Sequence, residues 1–233
     1  EYVHGRTGLD GPDLPEPAMP LQSAHAVDFL IETLRAEEGV TLCTLGPLTN
    51  IAMAFQRAPD VVSRVARIVA MGGGLFEGGN VTPVAEFNIY VDPHAADVVF
   101  RAGVPITLLP LDVTHQCLTT RARVAAFRAL GTAVGEATAA LLDFFERFDE
   151  EKYGTDGGPL HDPCVIAWLL KPELFHGRDI NVTVETASEL TMGMTVADWW
   201  RVTDRPTNCH YIRYADHEGF FALLLDRLGR YPL

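Results

Sequence analysis

Short apolar runs alternate with amphipathic stretches along most of this chain, and that alternation constrains its fold more than any other feature. Residues 40–45, 67–71 and 105–110 are brief and apolar, as strands buried on both faces are. The stretches between them carry helical signals. Ser23 can N-cap a helix over residues 23–38, with Ala26, Phe29, Leu30, Ile31 and Leu34 as its apolar stripe and Gly39 as its end. Gly46-Pro47 opens a helix to about residue 57, with Pro47 in its first turn. Asp60 caps a short helix, Asp92-Pro93 starts one to about residue 102, and Thr120 caps one to about residue 130. A longer helix is predicted over 134–152, another from Asp162-Pro163 to residue 170, and a last one over 216–229. Further strands are expected near 180–186, 198–203 and 209–214. Strands alternating with helices imply βα units. The predicted fold is α/β, an open and mostly parallel sheet with helices on both faces in a Rossmann-like, three-layer arrangement.

The 233 residues are enough for one large domain, and no repeat or linker divides them, so a single domain over 1–233 is expected. A net charge of −13 with no Lys/Arg-rich run argues against nucleic acid or an anionic membrane as partner. No segment approaches 18 uninterrupted apolar residues, so no transmembrane helix is expected. The chain opens at Glu1 without a methionine or a visible signal peptide, and it is expected to begin inside a longer gene product. Its four cysteines form no CxxC pair. Cys43 and Cys164 lie in apolar runs and read as small core residues, which fits a reduced, cytoplasmic compartment.

Polar residues gather where such a sheet would bind a ligand, beyond the carboxyl ends of its strands. Met71-Gly72-Gly73-Gly74 leaves one predicted strand with three residues that lack a side chain. That is either a tight turn or a place where a ligand meets the backbone. Asn80 follows two glycines, and Glu86-Phe87-Asn88-Ile89 alternates, so an extended segment would show Glu86 and Asn88 on one side. Each alone reads as a solvated loop residue. Together, a carboxylate and two amides can grip a polyhydroxyl ligand, because carboxylates accept hydrogen bonds and amides both donate and accept. Asp92 and Asp162, each before a proline, read locally as helix caps. His161 next to Asp162 could protonate a leaving group near neutral pH. His4 lies in a glycine-rich opening loop, and the Trp199-Trp200 pair reads as packing.

The motifs carry more than their local patterns. Thr44-Leu45-Gly46-Pro47-Leu48-Thr49-Asn50, Met71-Gly72-Gly73-Gly74, Gly79-Asn80, Ala85-Glu86-Phe87-Asn88, Leu111-Asp112-Val113-Thr114 and His161-Asp162-Pro163 occur in one order. In that order and spacing the chain resembles the nucleoside hydrolases, calcium-dependent enzymes that cut the N-glycosidic bond between ribose and a base. The resemblance implies hydrolysis of ribonucleosides to ribose and free base, a role in purine or pyrimidine salvage, and a homodimer or homotetramer. It implies that Asn80, Glu86 and Asn88 hold the ribose hydroxyls beside Met71, and that His161 protonates the leaving base. Asp162 would give calcium a carboxylate and Leu45 a backbone carbonyl. His4, in His-Gly-x-x-Gly-Leu-x-Gly, and Tyr153 are similar to residues of the pyrimidine-preferring branch, with His4 a second candidate catalytic group. Asp149 stands where that branch leads one to expect an uncharged residue facing the base.

One family element has no counterpart in the chain. The family opens on a strand ending in an aspartate cluster, Asp-x-Asp-x-Gly-x-Asp-Asp, which supplies most of the calcium ligands. This chain starts after the place such a strand would occupy, so its calcium site is expected to be incomplete. Two alternatives to a hydrolase therefore stand at this level: a non-catalytic or degenerate binder of nucleosides or polyols, and a truncated chain that partners an active one.

Overall fold

The computed structural model describes residues 5–153 and 157–232, and for 146–153 the backbone alone. His4 lies outside the described residues, as do the side chains of Asp149 and Tyr153. The chain divides into two compact units.

The larger unit comprises residues 22–113 and 162–214. It is built on a five-stranded sheet in the order β1-β2-β3-β7-β4. These strands are β1 (Val40–Thr44), β2 (Val65–Met71), β3 (Ile106–Leu109), β4 (Phe175–Ile180) and β7 (Cys209–Ala215). β1 pairs with β2, β2 with β3 and β3 with β7, each in parallel. Two shorter strands, β5 (Val182–Val184) and β6 (Thr195–Ala197), form an antiparallel pair. All four residues of β3 are buried, as the apolar run predicted. Helices α1 (Ala26–Ala36), α2 (Thr49–Arg57), α4 (Pro93–Phe100) and α8 (Pro163–Leu170) belong to this unit. One apolar core joins Val27, Ile31 and Leu34 of α1, Phe55 of α2, Ile68 of β2, Val99 and Phe100 of α4 and Tyr211 of β7. The three-layer α/β arrangement is that expected from the alternation of elements.

Local chemistry moved several boundaries. α1 is capped by His25, whose Nδ1 accepts from the Val27 amide at 3.2 Å, and not by Ser23. α2 begins at Thr49, so Pro47 lies before the helix and not in its first turn. Residues 59–64 form a 3-10 helix with no side-chain cap, and the Asp60 carboxylate reaches Arg35 instead. The strand expected at 198–203 is a turn closed by Asp198, which accepts from the amides of Val202 and Thr203. The strand there is β6, three residues earlier, and β4 was not anticipated. Cys43 is exposed, not core, whereas Cys164 is buried. Trp199 is buried and Trp200 is exposed, so packing explains one of the pair.

The smaller unit comprises residues 1–21, 114–161 and 215–233. Its helices are α6 (Arg121–Arg128), α7 (Ala133–Tyr153) and α9 (His217–Leu228). Thr120 caps α6 through the Arg123 amide, as its position predicted. Phe127 of α6 meets Phe221 of α9, and the Arg123 guanidinium lies 4.1 Å from the Phe221 ring. In the opening loop the Asp10 carboxylate accepts from the amides of Arg6 and Thr7 and from the Thr7 hydroxyl. Among the described residues, no helix is long and apolar enough to cross a membrane.

Candidate active site

The carboxyl end of β2 runs into Gly72-Gly73-Gly74, and the protein's own atoms fill the room these glycines leave. A Cβ on Gly72 would lie 3.3 Å from Glu86 Oε2, and one on Gly74 would lie 2.2 Å from the Gly78 carbonyl oxygen. Gly73 has φ +72°, and a Cβ there would sit 2.7 Å from Thr195. The glycines are thus needed for close approach within the protein.

Glu86 is not part of an extended segment. It is the N-cap of α3 (Phe87–Tyr90), a single helical turn. Its Oε1 accepts from the Asn88 amide at 2.9 Å. Its Oε2 accepts from Gly73 at 2.9 Å and from Ile89 at 3.3 Å. A carboxylate before unsatisfied amides closes a helix turn more strongly than the alternation of Phe87 and Ile89 favours a strand. Phe87 is accordingly exposed, while Glu86, Asn88 and Ile89 are buried. Burial pushes the Glu86 carboxyl up from its ordinary value, against the three amides that lower it, and the nearby charge of Asp162 adds to the rise.

Asn88 and Met71 are joined directly. The Asn88 side-chain amide donates to the Met71 carbonyl at 3.2 Å and approaches its sulfur at 3.4 Å. The opposite, carbonyl end of that side chain is an acceptor. Asn80 Oδ1 accepts from the Phe87 amide at 2.9 Å, across the mouth of the same turn. The structure therefore brings Met71, Asn80, Glu86 and Asn88 together, through short local bonds. A buried carboxylate beside amide groups suits a ligand that donates several hydroxyl hydrogens.

Asp162 shares an Asp-Pro pattern with Asp92 but not its role. Asp92 accepts from the Ala95 amide at 3.0 Å and caps α4. Asp162 has helical backbone angles and makes no capping bond to α8. Leu45 directly follows β1, whose last residue, Thr44, is in register with Ala70 of β2. Among the described residues, no group of three or more His, Cys, Asp and Glu side chains is arranged to hold a metal ion. A carboxylate and a backbone carbonyl are donors that suit a hard cation such as calcium, and the Asp162 charge felt by Glu86 is one that a cation would offset.

His161 ends the middle segment of the smaller unit. Its Nδ1 lies 2.8 Å from Oγ1 of Thr114, which is fully buried. Its ring centroid is 5.8 Å from that of His115. The segment leading to it is laid against residues 117–119 by the bonds Leu160 to Cys117 and Thr119 to Gly158.

Sequence reasoning missed the anchor of the loop after the glycines. The buried Asp112 carboxylate, in α5 (Leu111–Thr114), accepts from the amides of Leu75, Phe76 and Glu77 at 2.9, 2.5 and 2.8 Å. The fully buried Tyr211 hydroxyl donates to the same carboxylate. Burial, then the adjacent Asp112 charge, holds the Tyr211 phenol far above its ordinary range. No local signal in Leu-Asp-Val-Thr marks this role, since its partners lie about 36 and 99 positions away.

Comparison with known proteins identifies the family. The family model of the inosine-uridine preferring nucleoside hydrolases matches residues 1–222. The pyrimidine-specific ribonucleoside hydrolase RihA of Escherichia coli O127:H6 is 49% identical over 99% of this chain and 75% of its own length. An uncharacterized protein of Schizosaccharomyces pombe is 51% identical over the same shares. The purine-preferring ribonucleoside hydrolase from Gardnerella vaginalis superposes with a TM-score of 0.89 at 33% identity, covering 98% of this chain and 72% of that one. The plant nucleoside hydrolase PpNRh1 gives a TM-score of 0.88 at 30% identity, covering 99% and 74%. The chain belongs to the inosine-uridine preferring nucleoside hydrolase family.

Proposed function

We propose that this chain hydrolyses the N-glycosidic bond of pyrimidine ribonucleosides to ribose and free base. The observation that carries the reading is the buried Glu86 carboxylate, fixed by three backbone amides and joined through Gly73 and Asn88 to Met71. Cleavage of such a bond builds positive charge on the ribose ring, as in other glycoside hydrolyses. A desolvated, immobile carboxylate favours that charge without reorganising. The Asn88 carbonyl accepts from a ribose hydroxyl, and Asn80 holds the Glu86 turn and lines the hydroxyl face. His161 gives a proton to the departing base, with His4 as a second donor. The Thr114 hydroxyl, 2.8 Å from Nδ1, holds the His161 ring, and the imidazolium form gives up a proton and returns to the neutral ring. The Asp162 carboxylate and the Leu45 carbonyl would give a calcium ion two of its oxygen ligands, and the ion would supply a hold on the ribose diol and on a water. The pyrimidine preference is supported by the 49% identity to RihA and by the His4 loop motif, with Tyr153 as a further candidate contact to the base.

Ribose release from uridine, cytidine and inosine, with and without added calcium, tests this. The expected order is uridine and cytidine above inosine, with calcium required. Glu86→Gln should lower turnover by about 2.7–4 kcal/mol, the range for removing one electrostatic stabiliser. No ribose from any of the three nucleosides would refute the activity, and wild-type turnover in the variant would refute the role of Glu86.

A further inference from the structure

Outside the groups already assigned, one buried side chain touches the backbone that fixes Glu86. Thr195 opens β6 and is fully buried. Its Oγ1 accepts from the Gly74 amide at 3.0 Å and donates to the Gly74 carbonyl at 2.9 Å, bridging 121 positions of sequence. A single hydroxyl thus brackets one glycine on both sides.

Gly73, one residue earlier, is held on three fronts. Its amide donates to Glu86 Oε2 at 2.9 Å, its carbonyl accepts from Leu111 at 2.9 Å, and its α-carbon packs on Thr195. Of the three amides that hold Glu86, those of Asn88 and Ile89 come from its own helical turn. Of the three, Gly73 alone lies in the segment that directly continues the strand carrying Met71. The same short segment also backs the other flank of the site. A Cβ on Gly193 would lie 3.0 Å from Tyr90 Cα and 3.4 Å from Ala85 Cβ, on either side of Glu86 and Asn88. Residues 193–195 therefore brace both pieces of chain that carry the ribose-facing groups.

We infer that Thr195 is a positioning residue for the reaction: by clamping Gly74 it sets the Gly73 amide, and through it the place of the Glu86 carboxylate. The inference rests on the reading of Glu86 given above. It requires a hydroxyl, and not merely a methyl, at this position. Valine would fill the same volume but would leave a buried amide and a buried carbonyl without partners.

The test compares Thr195→Val with Thr195→Ser, which keeps the hydroxyl and drops the methyl. Steady-state hydrolysis of uridine and thermal melting are read on both, beside Glu86→Gln. The valine variant should lose roughly tenfold to a hundredfold in kcat with KM little changed, as small displacements of reacting groups do. The serine variant should recover most of that turnover. Wild-type kcat in a folded valine variant would overturn the inference, and so would equal losses in the serine and valine variants. If the valine variant does not fold, Thr195→Ala takes its place. If neither folds, Thr195 is a folding residue and the proposal fails. Normal turnover in Glu86→Gln would instead sink the reading of the site itself. An impaired Glu86→Gln beside an unaffected Thr195→Val would sink only the clamp.

Discussion

Glu86 performs two tasks with one carboxylate, closing a helical turn and, in the proposed reaction, facing positive charge. The two tasks separate by pH. Its carboxyl titrates above its ordinary value of 4.5 in the folded chain, chiefly through burial. The folded chain therefore keeps a proton that the unfolded chain releases as pH passes 4.5. Stability from this group is present below that pH and is lost as pH rises through the raised value. Glutamine cannot ionise, so the melting temperature of the wild type relative to Glu86→Gln should fall as pH rises above 4.5. Melting curves across the acid range check this, and a difference that stays flat would contradict it. His161 makes a separable prediction. His161→Ala should slow uridine hydrolysis strongly and spare an activated aryl riboside, whose leaving group needs no proton. Equal losses on both substrates would remove His161 from the role of acid. The sequence held these residues in plain view. It misled on the geometry of Glu86 and Asn88, because one helical turn is too short to show a 3.6-residue period. Phe87 and Ile89 then read as one side of an extended segment.

At the scale of elements, the site depends on bonds between pieces that sequence pattern cannot join. The Asp112 carboxylate collects three amides of the 75–77 loop and the Tyr211 hydroxyl, linking α5, that loop and β7. Asparagine offers one acceptor in place of two and turns a donor toward buried amides. Asp112→Asn should therefore destabilise by about 3 kcal/mol, the scale of stranding buried donors. Tyr211→Phe removes one bond from a carboxylate that keeps three, and should cost about 1 kcal/mol. Chemical denaturation of both variants gives the ranking, and an equal or reversed order would show that the amides are not the main partners. Elements themselves were largely legible. β1, β2, β3, α6 and α9 lie where apolar runs and caps placed them, and α8 starts at its predicted proline without the cap. What failed was edge chemistry: His25 capping in place of Ser23, and Asp198 closing a turn where a strand was expected. Side-chain hydrogen bonds that close turns leave no periodic trace.

On the scale of the whole molecule, the parallel sheet was foreseeable from alternation, but the order of its strands was not. β7 lies between β3 and β4, although the other described strands all precede it. This order bears on how the protein is made. While the ribosome is still adding residues before Cys209, β3 shows an unpaired edge and β4 has no neighbour in the sheet. The segments before β7 can collapse around Val27, Phe55 and Ile68, yet β3 and β4 stay unjoined until it emerges. Open strand edges pair with whatever is near. Chains halted just before β7 should be recovered in the insoluble fraction, and chains extended through Leu228 should be soluble, which pelleting of stalled translation products measures. β3 and β4 can share a sheet only once β7 has left the tunnel, so a pause in translation just before Cys209 leaves the facing sides of both strands bare at the same moment.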